Sequence, residues 1–70
     1  MTLEFRDINN NYIKQWHNWE NEVPQKNDVV TLHYGDRNEE SVDYVVVNRL
    51  FDGTKPNKVT IFVRKFGECI

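Results

Sequence analysis

The sequence predicts an all-β domain, either a small five-stranded antiparallel sheet or a small barrel. Several segments alternate apolar and polar residues with a period of two, the pattern of strands with one buried face. These segments are rich in β-branched and aromatic residues, and aromatics make up 13% of the chain. Clusters of Gly, Pro, Asn and Asp separate them. At 70 residues, without internal repeat or linker, positions 1–70 form one domain.

The first predicted strand covers residues 2–6. Leu3 and Phe5 fall on one face of it, and Thr2 and Glu4 fall on the other. This segment therefore has one face suited to a core.

The second predicted strand covers residues 12–19 and follows three asparagines at positions 9–11, which are typical of a hairpin tip. The spacing of Trp16 and Trp19 also fits a helix. An α+β fold with a short helix within residues 10–22 is therefore the alternative.

Three clearer strands are predicted at residues 29–34, 41–51 and 59–64. The middle one is apolar on both faces around its centre, so we expect it to be central in the sheet or to bend. The turn clusters at residues 35–38 and 52–57 are too short to hold a crossover helix. Each of them therefore predicts antiparallel pairing of its flanking strands.

The segment that leads into the third strand carries a motif. Pro24, Asn27, Asp28 and Val30 are spaced like the Pro-x-x-Gly-Asp-x-Val segment of many SH3-like barrels, which this stretch resembles. Asn27 stands where those domains have glycine, and asparagine is among the few residues that accept a positive φ. The resemblance implies a small barrel fold and no functional residues, since such folds host many binding functions.

Charge and cysteine content limit the cellular compartment and the classes of partner that we expect. The net charge is −2, which disfavours a general duplex-DNA binder. Residues 1–47 hold four basic and nine acidic side chains, a balance of −5, whereas residues 48–70 hold five and two, a balance of +3. The single cysteine, Cys69, fits a reducing compartment and reads as a bystander thiol. There is no signal-peptide pattern and no membrane-length apolar run, so we expect a cytoplasmic protein without membrane contact.

No motif for catalysis or metal binding is present. His17 and His33 would make an incomplete metal site even if their strands were neighbours. No serine, threonine or cysteine lies in a nucleophile signature. The three glycines are too scattered for a phosphate-binding loop. We therefore expect a protein that is not an enzyme and needs no cofactor or metal.

The leading functional hypothesis is a binding module that acts through protein–protein contact, with an unidentified partner or a second copy of itself. A small bacterial or phage accessory or inhibitor protein would fit this size. On a strand, Trp16 and Trp19 would point to opposite faces, so one would lie in the core and the other would be an exposed anchor or cover a second layer. The alternative is that both are buried. A second candidate is an acidic face that could occupy a basic site on a target. The candidate binding residues are Trp16, Trp19, His33, Arg49, Phe62 and Arg64, and the acidic face comprises Asp36, Glu39, Glu40 and Asp43.

The alternative hypothesis is a small barrel that binds single-stranded nucleic acid. Phe62 and Arg64 share the outer face of their strand, where an aromatic ring beside a cation could stack a base. The competing interpretation is that a tryptophan from residues 12–19 covers Phe62 as a second layer. The acidic balance of residues 1–47 also weakens the nucleic-acid hypothesis.

Overall fold

The chain folds into one five-stranded sheet, as seen in a computed structural model that describes residues 1–34, 37, 40–55 and 57–67. The predicted all-β class is confirmed, and the described residues contain no helix. The strands are β1 Thr2–Asp7, β2 Tyr12–Trp16, β3 Val29–Tyr34, β4 Glu40–Phe51 and β5 Lys58–Lys65.

The strand order is β2-β1-β5-β4-β3, and the sheet curls into a half-barrel. Hairpins connect β1 to β2, β3 to β4 and β4 to β5, and all three pairs are antiparallel, as the short connections predicted. β2 and β3 are left as the two edges of the sheet.

One pairing differs from the prediction of a wholly antiparallel sheet. β1 and β5 run parallel, with Leu3 opposite Val59 and Phe5 opposite Ile61. A short turn fixes the relative direction only of strands that follow one another directly, whereas β1 and β5 are the first and the last strand. Their relative direction is set by the path of the whole chain, so the sheet is mixed.

The region that allowed two interpretations is a strand followed by a bend. β2 ends at Trp16 rather than at residue 19 because Asn18 takes a left-handed conformation with φ 57°. The backbone N–H of Trp19 then donates to the Met1 carbonyl at 2.7 Å. The alternative of a short helix within residues 10–22 is wrong.

The core lies on the concave face of the sheet. Alternate residues of β1, β3, β4 and β5 point inward, as the period-two pattern predicted. β4 lies inside the sheet between β5 and β3, and its pairing with β5 is irregular between Val46 and Asn48. The fully buried side chains are Leu3, Phe5, Leu32, Val46, Ile61 and Val63.

Turn chemistry is confirmed at two positions. Asn10, at the tip of the first hairpin, has φ 68°, and the carboxylate of Asp7 accepts the backbone N–H groups of Asn9 and Asn11 at 2.9 Å each. Asn27, in the glycine position of the barrel-like motif, has φ 76°. Most of the turn predicted at residues 35–38, Pro56 and Cys69 lie outside the described residues.

Candidate functional site

The open side of the half-barrel lies between the two edge strands, β2 and β3. An edge strand leaves half of its backbone N–H and C=O groups without a neighbouring strand. The two edges differ in how these groups are protected.

The outward backbone groups of β3 follow from its pairing with β4. The carbonyl of Asp28 accepts the N–H of Val46 at 2.8 Å, which starts the ladder between the two strands. Because bonded and non-bonded pairs alternate in an antiparallel ladder, Val30, Leu32 and Tyr34 bond to β4. The backbone groups of Val29, Thr31 and His33 therefore point away from the sheet.

β3 lacks the features that usually protect an edge. Its sequence, VVTLHY, contains no Lys, Asp, Glu or Pro, and its register with β4 is regular over six residues. The side chains of Val29, Thr31 and His33 are exposed on the outer face. β2, by contrast, carries an inward lysine, Lys14, and pairs with β1 through a register shift.

Among the described residues, Lys14 is the side chain that donates a hydrogen bond to the outward backbone groups of β3. It lies opposite the buried Phe5 and so points into the half-barrel. Its ammonium donates to the His33 carbonyl and sits 5.5 Å from the centre of the Tyr34 ring. A lysine stem and a hydrogen bond together reach at most roughly 9 Å, close to twice the strand spacing of about 4.8 Å. At the Lys14–His33 contact the opening is therefore no wider than about one added strand.

A pair of tyrosines forms the wall beneath Lys14. The hydroxyls of Tyr34 and Tyr44 are 3.1 Å apart, and Tyr44 is buried while Tyr34 is half-buried. Burial, together with the Tyr44 hydroxyl, raises the pKa of Tyr34 above its usual value. The Tyr34 phenol is therefore neutral at physiological pH, and the cation of Lys14 contacts an aromatic face without a competing negative charge on that ring.

The outer face of β1 and β5 carries a buried acid with three partners. Glu4 is 5% exposed and accepts from Arg6 Nε at 2.8 Å, Gln15 Nε2 at 2.9 Å and Lys58 Nζ at 3.1 Å. Burial raises its pKa, but these donors outweigh burial and lower the pKa from 4.5 to about 2. Two cations of the outer face are thereby committed to an internal carboxylate.

A groove of about 290 Å³ lies beside this cluster. Phe62, which is half-buried, and Leu50, which is 53% exposed, provide its apolar surface. Neither tryptophan covers Phe62, because Trp16 pairs with the buried Leu3 on the opposite face. The interpretation of Phe62 as covered by a tryptophan is therefore wrong.

The two tryptophans lie together against the core and not on opposite faces as predicted. Their rings stack with centres 4.9 Å apart, and the Trp16 ring meets Phe5 edge-on at 4.8 Å. The left-handed Asn18 turns the chain back, which brings Trp19 over Trp16. Both rings are half-buried, and the indole N–H of Trp19 donates to the Glu22 carbonyl at 3.0 Å.

The remaining predicted residues do not form one site. Arg49 is exposed and lies 5.3 Å from the centre of the Phe51 ring near the end of β4. Arg64 shares the outer face with Phe62, as predicted, and pairs with Val45. Of the acidic face, Asp43 accepts from the Thr31 hydroxyl at 2.6 Å and Glu40 begins β4, whereas Asp36 and Glu39 lie outside the described residues.

Of the predicted binding residues, His33 lies on the β3 edge and acts there through its backbone, and Trp16 lies on β2, the other edge strand, with its ring packed against the core. Sequence reasoning missed Lys14, Val29 and Thr31. The signal that could have found them is the uncharged, β-branched composition of residues 29–34. That signal has meaning only once this strand is known to be an edge.

The described residues hold neither a cluster of metal ligands nor a membrane-spanning helix. They contain no group of three or more His, Cys, Asp or Glu placed to hold a metal ion. They also contain no helix with the length and apolar character needed to cross a membrane.

Comparison of the chain with protein-family models, with curated proteins and with solved structures finds no match.

Proposed function

We propose that this protein is a non-enzymatic binding module that acts through protein–protein contact, by pairing an extended segment of its partner with the free edge of β3. The observation that carries the proposal is the regular, uncharged edge of β3, with the backbone groups of Val29, Thr31 and His33 directed outward. A row of alternating donors and acceptors at strand spacing is complemented best by another polypeptide strand.

The opening beside β3 defines the kind of occupant. At the Lys14–His33 contact the opening is no wider than about one added strand, which suits a single added strand better than the whole sheet of a second copy. An added strand must first displace the Lys14 ammonium from the His33 carbonyl. The displaced cation then needs a new acceptor, so we infer that the partner segment carries a carboxylate that faces Lys14.

The same geometry weakens the nucleic-acid alternative. That hypothesis needs free cations beside exposed aromatic rings, a combination that the described residues offer at Arg49 and Phe51 near the end of β4. Arg6 and Lys58, on the face of Phe62, are both paired with Glu4. Trp16 and Trp19 stack on each other against the core. We therefore favour a protein partner.

An SH3-like character of the barrel is part of this proposal. The positive φ of Asn27 supports it, because this residue occupies the glycine position of the SH3-like motif. The carbonyl of Asp28, the next residue of the motif, accepts the first ladder bond to β4.

The test uses peptides selected from a displayed random library against the whole protein. The decisive variant is Thr31→Pro, which removes the central outward N–H of the edge while leaving the bonds to β4 in place. Thr31→Val is the matched control, because it also loses the hydroxyl bond to Asp43 but keeps the backbone N–H. We expect the selected peptides to bind Thr31→Val like the parent protein and Thr31→Pro at least tenfold more weakly.

Circular dichroism first establishes that both variants fold. If Thr31→Pro does not, Val29→Pro takes its place, at the first residue of the strand where proline is better tolerated. Equal binding by the proline and valine variants would contradict the proposal, and so would a selection that yields no binder. Quenching of tryptophan fluorescence by oligonucleotides that weakens steeply with salt would favour the nucleic-acid alternative instead.

A further inference from the structure

A second recess lies away from the β3 edge, where β2, β1 and β5 are neighbours. It has a volume of about 440 Å³. Its lining residues share one property, which is that each side chain can donate a hydrogen bond and none is a carboxylate. They are Thr2, Gln15, His17, Lys55, Asn57 and Lys58.

The contacts of these residues with one another hold the recess together. Thr2 lies directly opposite Lys58 in the parallel pair, and its backbone N–H donates to the Asn57 carbonyl at 2.7 Å. The Thr2 hydroxyl is 3.5 Å from Nδ1 of His17, which links the end of β2 to β1. The donors therefore come from three strands, at Thr2, Gln15 and Lys58, and from the segments that follow β2 and β4, at His17, Lys55 and Asn57.

Two groups outside the lining orient its charged members. Glu4 holds the ends of Gln15 and Lys58 at 2.9 and 3.1 Å from its carboxylate, so both side chains have fixed positions at the edge of the recess. Asp52 accepts the N–H and hydroxyl of Thr54 at 2.9 and 2.7 Å, and its carbonyl accepts the N–H of Lys55 at 3.0 Å. These hydrogen bonds hold the backbone of residues 52–55 in place.

The charge of this region fits an anion. Lys55 and Lys58 line the recess, but Lys58, like Arg6, is paired with Glu4, so Lys55 is the lining cation that Glu4 does not hold. Against them stand Glu4 and Asp52, so these five groups carry a balance of +1. Lysine ammonium groups are common ligands of phosphate, and a phosphate monoester offers three acceptor oxygens to several donors at once.

We propose that this recess binds a phosphoryl group carried on a larger molecule. The recess is open to solvent and is larger than one phosphate needs. The site is separate from the β3 edge, so the proposal stands whether or not strand addition occurs there.

The test is a titration followed by ¹H–¹⁵N NMR at constant ionic strength. Inorganic phosphate, a phosphoserine peptide and a nucleoside monophosphate are the probes, with sodium chloride and acetate as references. We expect saturable shifts at Thr2, His17 and Lys58 with phosphate, with a Kd on the order of 1–10 mM. Tighter binding of the peptide or of the nucleotide would identify the source of the phosphoryl group.

The decisive variant is Lys55→Gln, since Lys55 is exposed and its ammonium is not needed to hold Glu4. We expect it to weaken phosphate binding at least fivefold. Lys26→Gln, which removes an exposed lysine outside the recess, is the control and should change nothing. Shifts that do not saturate, that match those in chloride or that persist unchanged in Lys55→Gln would overturn the proposal.

Discussion

Glu4 shows how one residue can both stabilise this domain and limit its pH range. A carboxylate that is almost fully buried survives because three side chains donate to it. Its pKa of about 2, against an ordinary 4.5, corresponds to about 3 kcal/mol of stabilisation. That is a large share of the few kcal/mol expected of a 70-residue domain.

The pH dependence of unfolding follows from this shift. Because the folded-state pKa lies below 4.5, the stabilisation is complete above that pH and is lost as the pH falls toward 2. We expect the urea midpoint to fall steeply over this range and to fall much less in Glu4→Gln, which is already destabilised at neutral pH. Glu20→Gln, at an exposed position, is the control. An acid transition of the same depth in Glu4→Gln and the parent would rule out this role.

Asn27 is a position where the energetic effect of a left-handed backbone conformation can be measured. With φ 76°, it needs a backbone that glycine adopts freely and alanine does not. We expect Asn27→Gly to leave the free energy of unfolding within about 0.5 kcal/mol of the parent, and Asn27→Ala to lower it by about 1 kcal/mol. Urea denaturation measures both. Equal values for the two variants would show that the left-handed conformation is not what the position requires.

For single residues, the sequence predicted features that depend on local backbone conformation. It did not predict features that depend on side chains from different strands. The left-handed asparagine at position 27 could be predicted because few residues tolerate that conformation. The role of Glu4 could not, since its three donors come from β1, β2 and β5 and meet only through the register of the sheet.

Among the elements, the segment after β2 departs most from its prediction. The tryptophan spacing suggested opposite faces, but that inference assumed a continuous strand. Asn18 breaks the strand, and Trp19 returns to stack on Trp16 and close one end of the core. The two rings are therefore structural, and the binding role predicted for them rested on a strand that ends three residues earlier.

This structural role predicts a stability effect. We expect Trp19→Ala to lower the free energy of unfolding by about 2 kcal/mol, because a half-buried ring and its stacking partner are lost together. Phe66→Ala is the matched control, since that ring is 62% exposed and should contribute less than about 0.5 kcal/mol. A Trp19→Ala protein as stable as Phe66→Ala would contradict the packing described here.

For the whole molecule, the sequence predicted the strands and the short hairpins but not which strands would be edges. Hairpin turns fix neighbours, whereas the parallel pairing of β1 with β5 depends on how the complete sheet closes. That closure alone makes β3 an edge and places Lys14 across the opening. A candidate site built from an edge could therefore not be located from residue patterns.

Lys14 competes with an added strand for the His33 carbonyl. Lys14→Met keeps most of the stem over Tyr34 but removes the ammonium from the His33 carbonyl. We expect this variant to bind uncharged extended peptides severalfold more tightly, and to lose the preference for a carboxylate opposite position 14. Titration with a matched acidic and neutral peptide pair measures both. An unchanged preference would show that Lys14 does not select the partner.

Amide hydrogen exchange of β3 is the sharpest test of strand addition at this edge. In the free protein we expect the N–H groups of Val30, Leu32 and Tyr34 to be protected and those of Val29, Thr31 and His33 to exchange rapidly. When a selected peptide is bound, the second set should become protected to a similar degree. The account would be contradicted if protection did not alternate in the free protein, or if Val29, Thr31 and His33 stayed unprotected in the complex.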